Sequence, residues 1–109
     1  MATAELKTRG LDEDGTPVIE LTGDVDRDAE GPLSAAYAEL EHAGVVVLDF
    51  SNVSYINSTG IAVIVGLLAQ ARKDGQSLQA RGLSDHYRRI FEITRLADFM
   101  TIIDQEDSR

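Results

Sequence analysis

The sequence predicts an α/β fold: one domain over residues 1–109, with a mixed β-sheet opened by an N-terminal β-hairpin and three to four α-helices. Three observations carry this. Two strand-like segments flank an Asp-Gly turn near the start. A run without alternation and apolar but for Asp49, Val45-Val46-Val47-Leu48-Asp49-Phe50, reads as a central strand. Helical and strand periodicities then alternate to the end, which calls for right-handed parallel crossovers.

Leu6 to Leu11 and Pro17 to Thr22 flank Asp12-Glu13-Asp14-Gly15. Ile19 and Leu21 are expected to face the core, with Glu20 and Thr22 facing out. Pro17 suits a strand start, where no ladder donor is needed. Gly31-Pro32 introduces a helix whose apolar positions are Leu33, Ala36, Tyr37 and Leu40, with Gly44 as its stop. After the central strand, a polar loop is expected before a second helix from about Ser58 to Asp74, ended by Gly75. Its stripe Ile61, Ile64, Val65, Leu68 and Ala71 is supplemented by Ala62, Val63, Leu67 and Ala69, so little polar surface remains. Such a helix is expected to pack on more than one side. The alternative is that its first turn, with Ile61 and Ala62, faces a partner. Leu78 and Ala80 alternate with Gln79 and Arg81 in a short strand; Tyr87, Ile90, Phe91 and Thr94 mark a third helix; residues 100–104 form a last strand.

Composition narrows the function. The formal charge is −9, and Lys7 and Lys73 are the only lysines, so the counterion-releasing surface of a nucleic-acid binder is not expected. There is no cysteine, which excludes disulfides and thiolate metal sites. The longest apolar stretch, residues 61–69, is far short of a membrane span, and the first residues lack signal-peptide character. A cytoplasmic protein without membrane association is the expectation. His42 and His86 stand far apart with no metal or triad spacing, and there is no Gly-rich phosphate loop. Neither an enzyme nor a cofactor is expected.

Asn57, Ser58 and Thr59 stand just before the second helix, where short oxygen-bearing side chains accept from orphan amides. By residue type alone they read as helix caps. A phosphorylated hydroxyl at this place would also gain from the helix dipole.

Leu48-Asp49-Phe50-Ser51-Asn52-Val53-Ser54-Tyr55-Ile56-Asn57-Ser58-Thr59-Gly60-Ile61 resembles the signature of STAS domains, above all the bacterial anti-sigma factor antagonists. Leu21-Thr22-Gly23-Asp24-Val25-Asp26 resembles the family's early Leu-x-Gly-(acidic)-x-Asp segment. Arg88-Arg89-Ile90-Phe91-Glu92-Ile93-Thr94, with Leu96 and residues 99–104, resembles its closing helix and strand. The resemblance implies a single non-catalytic STAS domain that binds an anti-sigma factor serine kinase and so releases a sigma factor. It implies phosphorylation by that kinase at Ser58, with Thr59 the second hydroxyl, and reversal by a PP2C-type phosphatase. The expected partner surface is Gly23, Asp24, Asp26, Asn57, Ser58, Thr59, Gly60, Ile61 and Ala62, on a monomer or small oligomer. Asn57 departs from the family's usual Asp and removes one negative charge beside the acceptor, while Arg95 replaces a common Gly.

Two other readings compete. A phosphoaccepting receiver domain would use Asp49, but no lysine follows Lys73 to complete its site. Asp49 is expected instead to cap the loop or to order Ser51 and Asn52. Within the same fold, the alternative is a STAS scaffold or regulatory subunit of a larger signalling assembly with a non-sigma target.

Overall fold

A computed structural model describes residues 5–11, 15–40 and 43–103, the first of these as backbone. Five strands lie side by side in chain order: β1 (Glu5–Leu11), β2 (Pro17–Val25), β3 (Val45–Ile56), β4 (Ser77–Arg81) and β5 (Thr101–Ile103). β1 is antiparallel to β2, and every later pair is parallel, so the sheet is mixed as expected. The hairpin register runs from Leu11 opposite Pro17 to Glu5 opposite Thr22, with an irregularity between Thr8 and Gly10. Residues 12–14 of the predicted turn lie outside the described residues.

Helices α1 (Glu30–Ala38), α2 (Ser58–Lys73) and α3 (Asp85–Ile93) are the successive crossovers, with 3₁₀ turns at Arg27–Ala29 and Leu96–Asp98. Because each crossover steps the same way along the sheet, right-handed connections place all three helices on one face. The core lies there. Ile19, Leu21, Val46, Leu48, Phe50, Leu78 and Ala80 pack with Leu33, Tyr37, Ile64, Leu67 and Phe91. The Phe50 and Phe91 rings meet edge to face, with centroids 5.8 Å apart. Such a pair adds about 1 kcal/mol beyond area burial.

Three expectations need correction. Gly44, at φ 88°, does not end α1, which stops at Ala38; it turns the chain into β3 instead. There its N–H donates to Gln76 Oε1 at 2.9 Å, and Gln76 Nε2 donates to Tyr37 Oη at 2.7 Å. This chain of amide and phenol ties α1, the start of β3 and the start of β4 together. Second, no polar loop follows Phe50. β3 continues to Ile56 because β2 extends beside it, pairing Asp24 with Tyr55 and Val25 with Ile56. The ladder supplies the partners that polarity and Ser-rich composition did not suggest. Third, Val65 does not join the buried stripe of α2. It is 46 % exposed, and Leu67 takes the inward place. The sheet and its neighbours cover one side of this helix and leave the other apolar side open.

β3 is buried along Val46, Val47, Leu48, Asp49 and Phe50, which includes a carboxylate at 4 % exposure. Burial pushes the Asp49 carboxyl up, but hydrogen bonds from Ser51 and the nearby Arg81 guanidinium outweigh it, leaving the carboxyl below its ordinary range. The Ser51 amide donates to Oδ1 at 2.9 Å, and Arg81 Nη2 lies 3.3 Å from Oδ2. Asp49 thus orders the strand at Ser51, as expected. A carboxyl whose folded-state value is depressed contributes stability above the unfolded value of about 3.9, and this is lost as pH falls through the folded value. Asp49→Asn is therefore expected to lower stability at pH 7 by about 1–3 kcal/mol. The deficit relative to the parent should shrink below about pH 4 in urea titrations; a pH-independent deficit would contradict the assignment.

Candidate functional site at the start of helix α2

The carboxyl ends of parallel strands β2 and β3 form one edge of the sheet, where α/β folds commonly place ligands and partners. Asn57 is the only residue between β3 and α2. Its extended backbone (φ −91°, ψ −178°) and side chain make it the N-cap. Oδ1 accepts from the Gly60 amide at 2.7 Å and from the Thr59 hydroxyl at 2.8 Å, while its carbonyl accepts from the Ile61 amide at 2.9 Å. One residue thereby anchors the whole first turn, its side chain satisfying an amide that the helix leaves orphaned.

The helix start is also pinned from below. The Asn57 amide donates to the Val25 carbonyl at 3.3 Å. Gly60 lies so close to the same carbonyl that a Cβ would overlap the Val25 oxygen and stand 2.7 Å from its carbon. Only glycine permits this approach. The site therefore joins two segments far apart in the chain, which meet at Val25 and Ile56, the last in-register pair of the ladder.

Among the expected site residues, Ser58 and Thr59 are exposed and Asn57 is half-buried. Ser58 is the first residue of α2, so its hydroxyl lies at the positive end of the helix dipole. Gly23, at φ 89°, sits at a ladder irregularity before Asp24, and both are half-buried. Asp26 acts locally, its carboxylate accepting from the Asp28 amide at 2.9 Å and capping the 3₁₀ turn. The site edge thus brings Asp24 and Asp26 to the β2 side and Ser58 to the β3 side. Gly60 is buried, Ile61 packs partly on the core, and Ala62 faces solvent. His86 is exposed at the start of α3; His42 lies outside the described residues. Among the described residues no group of three or more metal-ligating side chains occurs.

Two contributors escape a reading of the sequence. Tyr87 reads as a helical stripe residue, yet its Oη accepts from the Ile56 amide at 2.9 Å, one residue before the cap. Beyond Asp49, β3 has no β4 partner in the ladder, so a side chain from α3 fills that role. Val25 acts through its backbone carbonyl, which no side-chain pattern reports.

The family model described as Mlab, STAS domain, matches residues 10–103. The chain belongs to the STAS domain family. It is 43 % identical over 60 residues to an anti-sigma-B factor antagonist of Listeria monocytogenes, an alignment covering 54 % of this chain and 53 % of that protein. The chain therefore spans about half the length of this curated relative. Among solved structures, an anti-sigma factor antagonist from Mycobacterium paratuberculosis superposes with a TM-score of 0.71 at 20 % identity, covering 98 % of this chain and 90 % of the other. The phosphorylated form of the Bacillus cell fate determinant SpoIIAA gives a TM-score of 0.62 at 20 % identity, covering 99 % and 96 %. These structural likenesses carry the fold. No helix among the described residues is long and apolar enough to cross a membrane.

Gly60→Ala is expected to destabilise the protein by about 2–4 kcal/mol, since the Val25 carbonyl must shift. Asn57→Ala is expected to cost about 1 kcal/mol through loss of the cap. Thermal unfolding of both variants checks the order; equal effects would show that the close approach is relieved cheaply.

Proposed function

We propose that this chain is a non-catalytic anti-sigma factor antagonist whose docking to an anti-sigma factor serine kinase is switched off by phosphorylation at Ser58. A single observation carries the proposal: Ser58 is solvent-exposed at the mouth of α2, at the strand edge that also carries Asp24 and Asp26. The antagonist names of the relatives support this role, and SpoIIAA, a protein of this fold, exists in a phosphorylated form. Thr59 is the weaker acceptor because its hydroxyl donates to Asn57 Oδ1, which ties it into the cap.

The mechanism follows from charge and location. Phosphorylation adds about −1.5 to −2 charge at neutral pH. At a helix N-terminus the free phosphoprotein tolerates that charge, because amides and dipole face it. In a complex the group would be desolvated beside Asp24 and Asp26 on a chain already at −9. A penalty of about 2.8 kcal/mol weakens docking about 100-fold. The switch acts on the complex and leaves the fold intact. A PP2C-type phosphatase would reset it, and the exposed position gives both enzymes access.

Ser58→Asp is expected to abolish binding to the cognate kinase, whereas Ser58→Ala binds constitutively, as read by calorimetry; equal affinities would reject the switch. Asn57→Asp restores the charge usual in the family and preserves an N-cap acceptor. It is expected to raise the phosphorylation rate in intact-mass assays with kinase and ATP, and an unchanged or lower rate would show that this charge does not assist the acceptor.

A further inference from the structure

Helices α1 and α2 each carry the chain between parallel strands, so they run side by side in the same direction. Between them lies a cleft of about 420 Å³, a volume in the range of small-molecule sites. It stays open because α2 lines it with Ala62 and Gly66, where longer side chains would close it. A Cβ added at Gly66 would meet no atom within 4 Å. The buried side chains of Leu33 and Leu67 supply apolar lining.

Charge is confined to the two ends. Glu30, the first residue of α1, stands at one end, and Asp74, the C-cap of α2, at the other. The Tyr37 hydroxyl donates to Asp74 Oδ2 at 2.9 Å, and Gln70 Nε2 donates to the same carboxylate at 3.2 Å. At about 1.5 Å per residue, the step along α1 from Glu30 to Tyr37 separates the ends by about 10 Å. Among the described residues neither carboxylate has an ion-pair partner, and no Lys, Arg or His lines the cleft. Ser34, midway along α1 between the ends, adds a hydroxyl to the lining.

We propose that this cleft binds a linear aliphatic polyamine, with one terminal ammonium on Glu30, the other on Asp74, and the methylene chain along Leu33, Gly66 and Leu67. Charge, length and polarity all match. Ammonium groups make charge-assisted hydrogen bonds to carboxylates, and a methylene stem covers apolar surface while its charged ends stay near water. A triamine with nine bonds between its terminal nitrogens spans about 11 Å at roughly 1.2 Å per bond. The two carboxylates are too far apart to share a metal ion, whose oxygen ligands lie about 2–2.6 Å from it. The site does not depend on the antagonist reading.

The test is calorimetry of the full chain with spermidine in about 0.15 M salt, where diffuse attraction to an acidic chain is screened beyond about 8 Å. Saturable one-to-one binding is expected, with putrescine, too short to bridge the ends, about tenfold weaker or more. Gly66→Leu fills the cleft, alters no charge and places a better helix former in α2; it is expected to weaken spermidine binding about tenfold or more. Glu30→Gln and Asp74→Asn are each expected to weaken it about fivefold or more, and Glu39→Gln, an exposed residue outside the lining, less than about twofold. Thermal unfolding verifies that each variant is folded. Wild-type affinity in Gly66→Leu, equal losses for Glu30→Gln and Glu39→Gln, or no saturable binding to the wild-type chain overturns the proposal.

Discussion

The contact between Gly60 and the Val25 carbonyl governs the site. That oxygen accepts from the Asn57 amide and leaves no room for a side chain on the first turn of α2. The end of β2 and the start of α2 are therefore held as one body, with the cap and the candidate acceptor between them. Were the contact looser, Ser58 would be an ordinary helix-start serine. Because it is tight, the start of α2 is fixed against the end of β2, the strand that carries Asp24.

The strand beneath this edge is held by contacts of a different kind. β3 runs on to Ile56, well past Asp49, its last partner in the β4 ladder. Its free side is secured by Asp49, which gathers the Ser51 amide and Arg81, and by Tyr87, which accepts from the Ile56 amide. Gly82, at φ 78°, passes so close to Ser51 that a Cβ would overlap its hydroxyl. Polar side chains and a glycine thus replace a missing strand. Parallel sheets otherwise rely on ladder bonds to keep buried backbone satisfied.

These features separate the packed core from the open edge of the sheet. The core face of the sheet is aliphatic and aromatic, and the buried charge that matters to the fold, Asp49, is held by Ser51 and Arg81. The first turn of α2 is small and polar, with exposed hydroxyls at the positive end of the helix dipole. Farther along the same helix Ala62, Val65 and Ala69 are exposed beside the polar Gln70 and Arg72.

The α/β class, the hairpin, the order of helices and strands, and the place of Ser58 at a helix start are all legible in the chain. Periodicity, turn residues and capping residues are local properties, so a linear reading recovers them. Arg95 illustrates the limit: it occupies φ 68°, the left-handed position where glycine is favoured, and its pairing with Asp98 shows only in three dimensions. That β3 reaches Ile56, that Gly44 opens a strand, that Val65 faces outward, and that Tyr87 supports the cap were settled by packing. Each depends on which element lies alongside, across separations of tens of residues, and no local pattern encodes a neighbour's position.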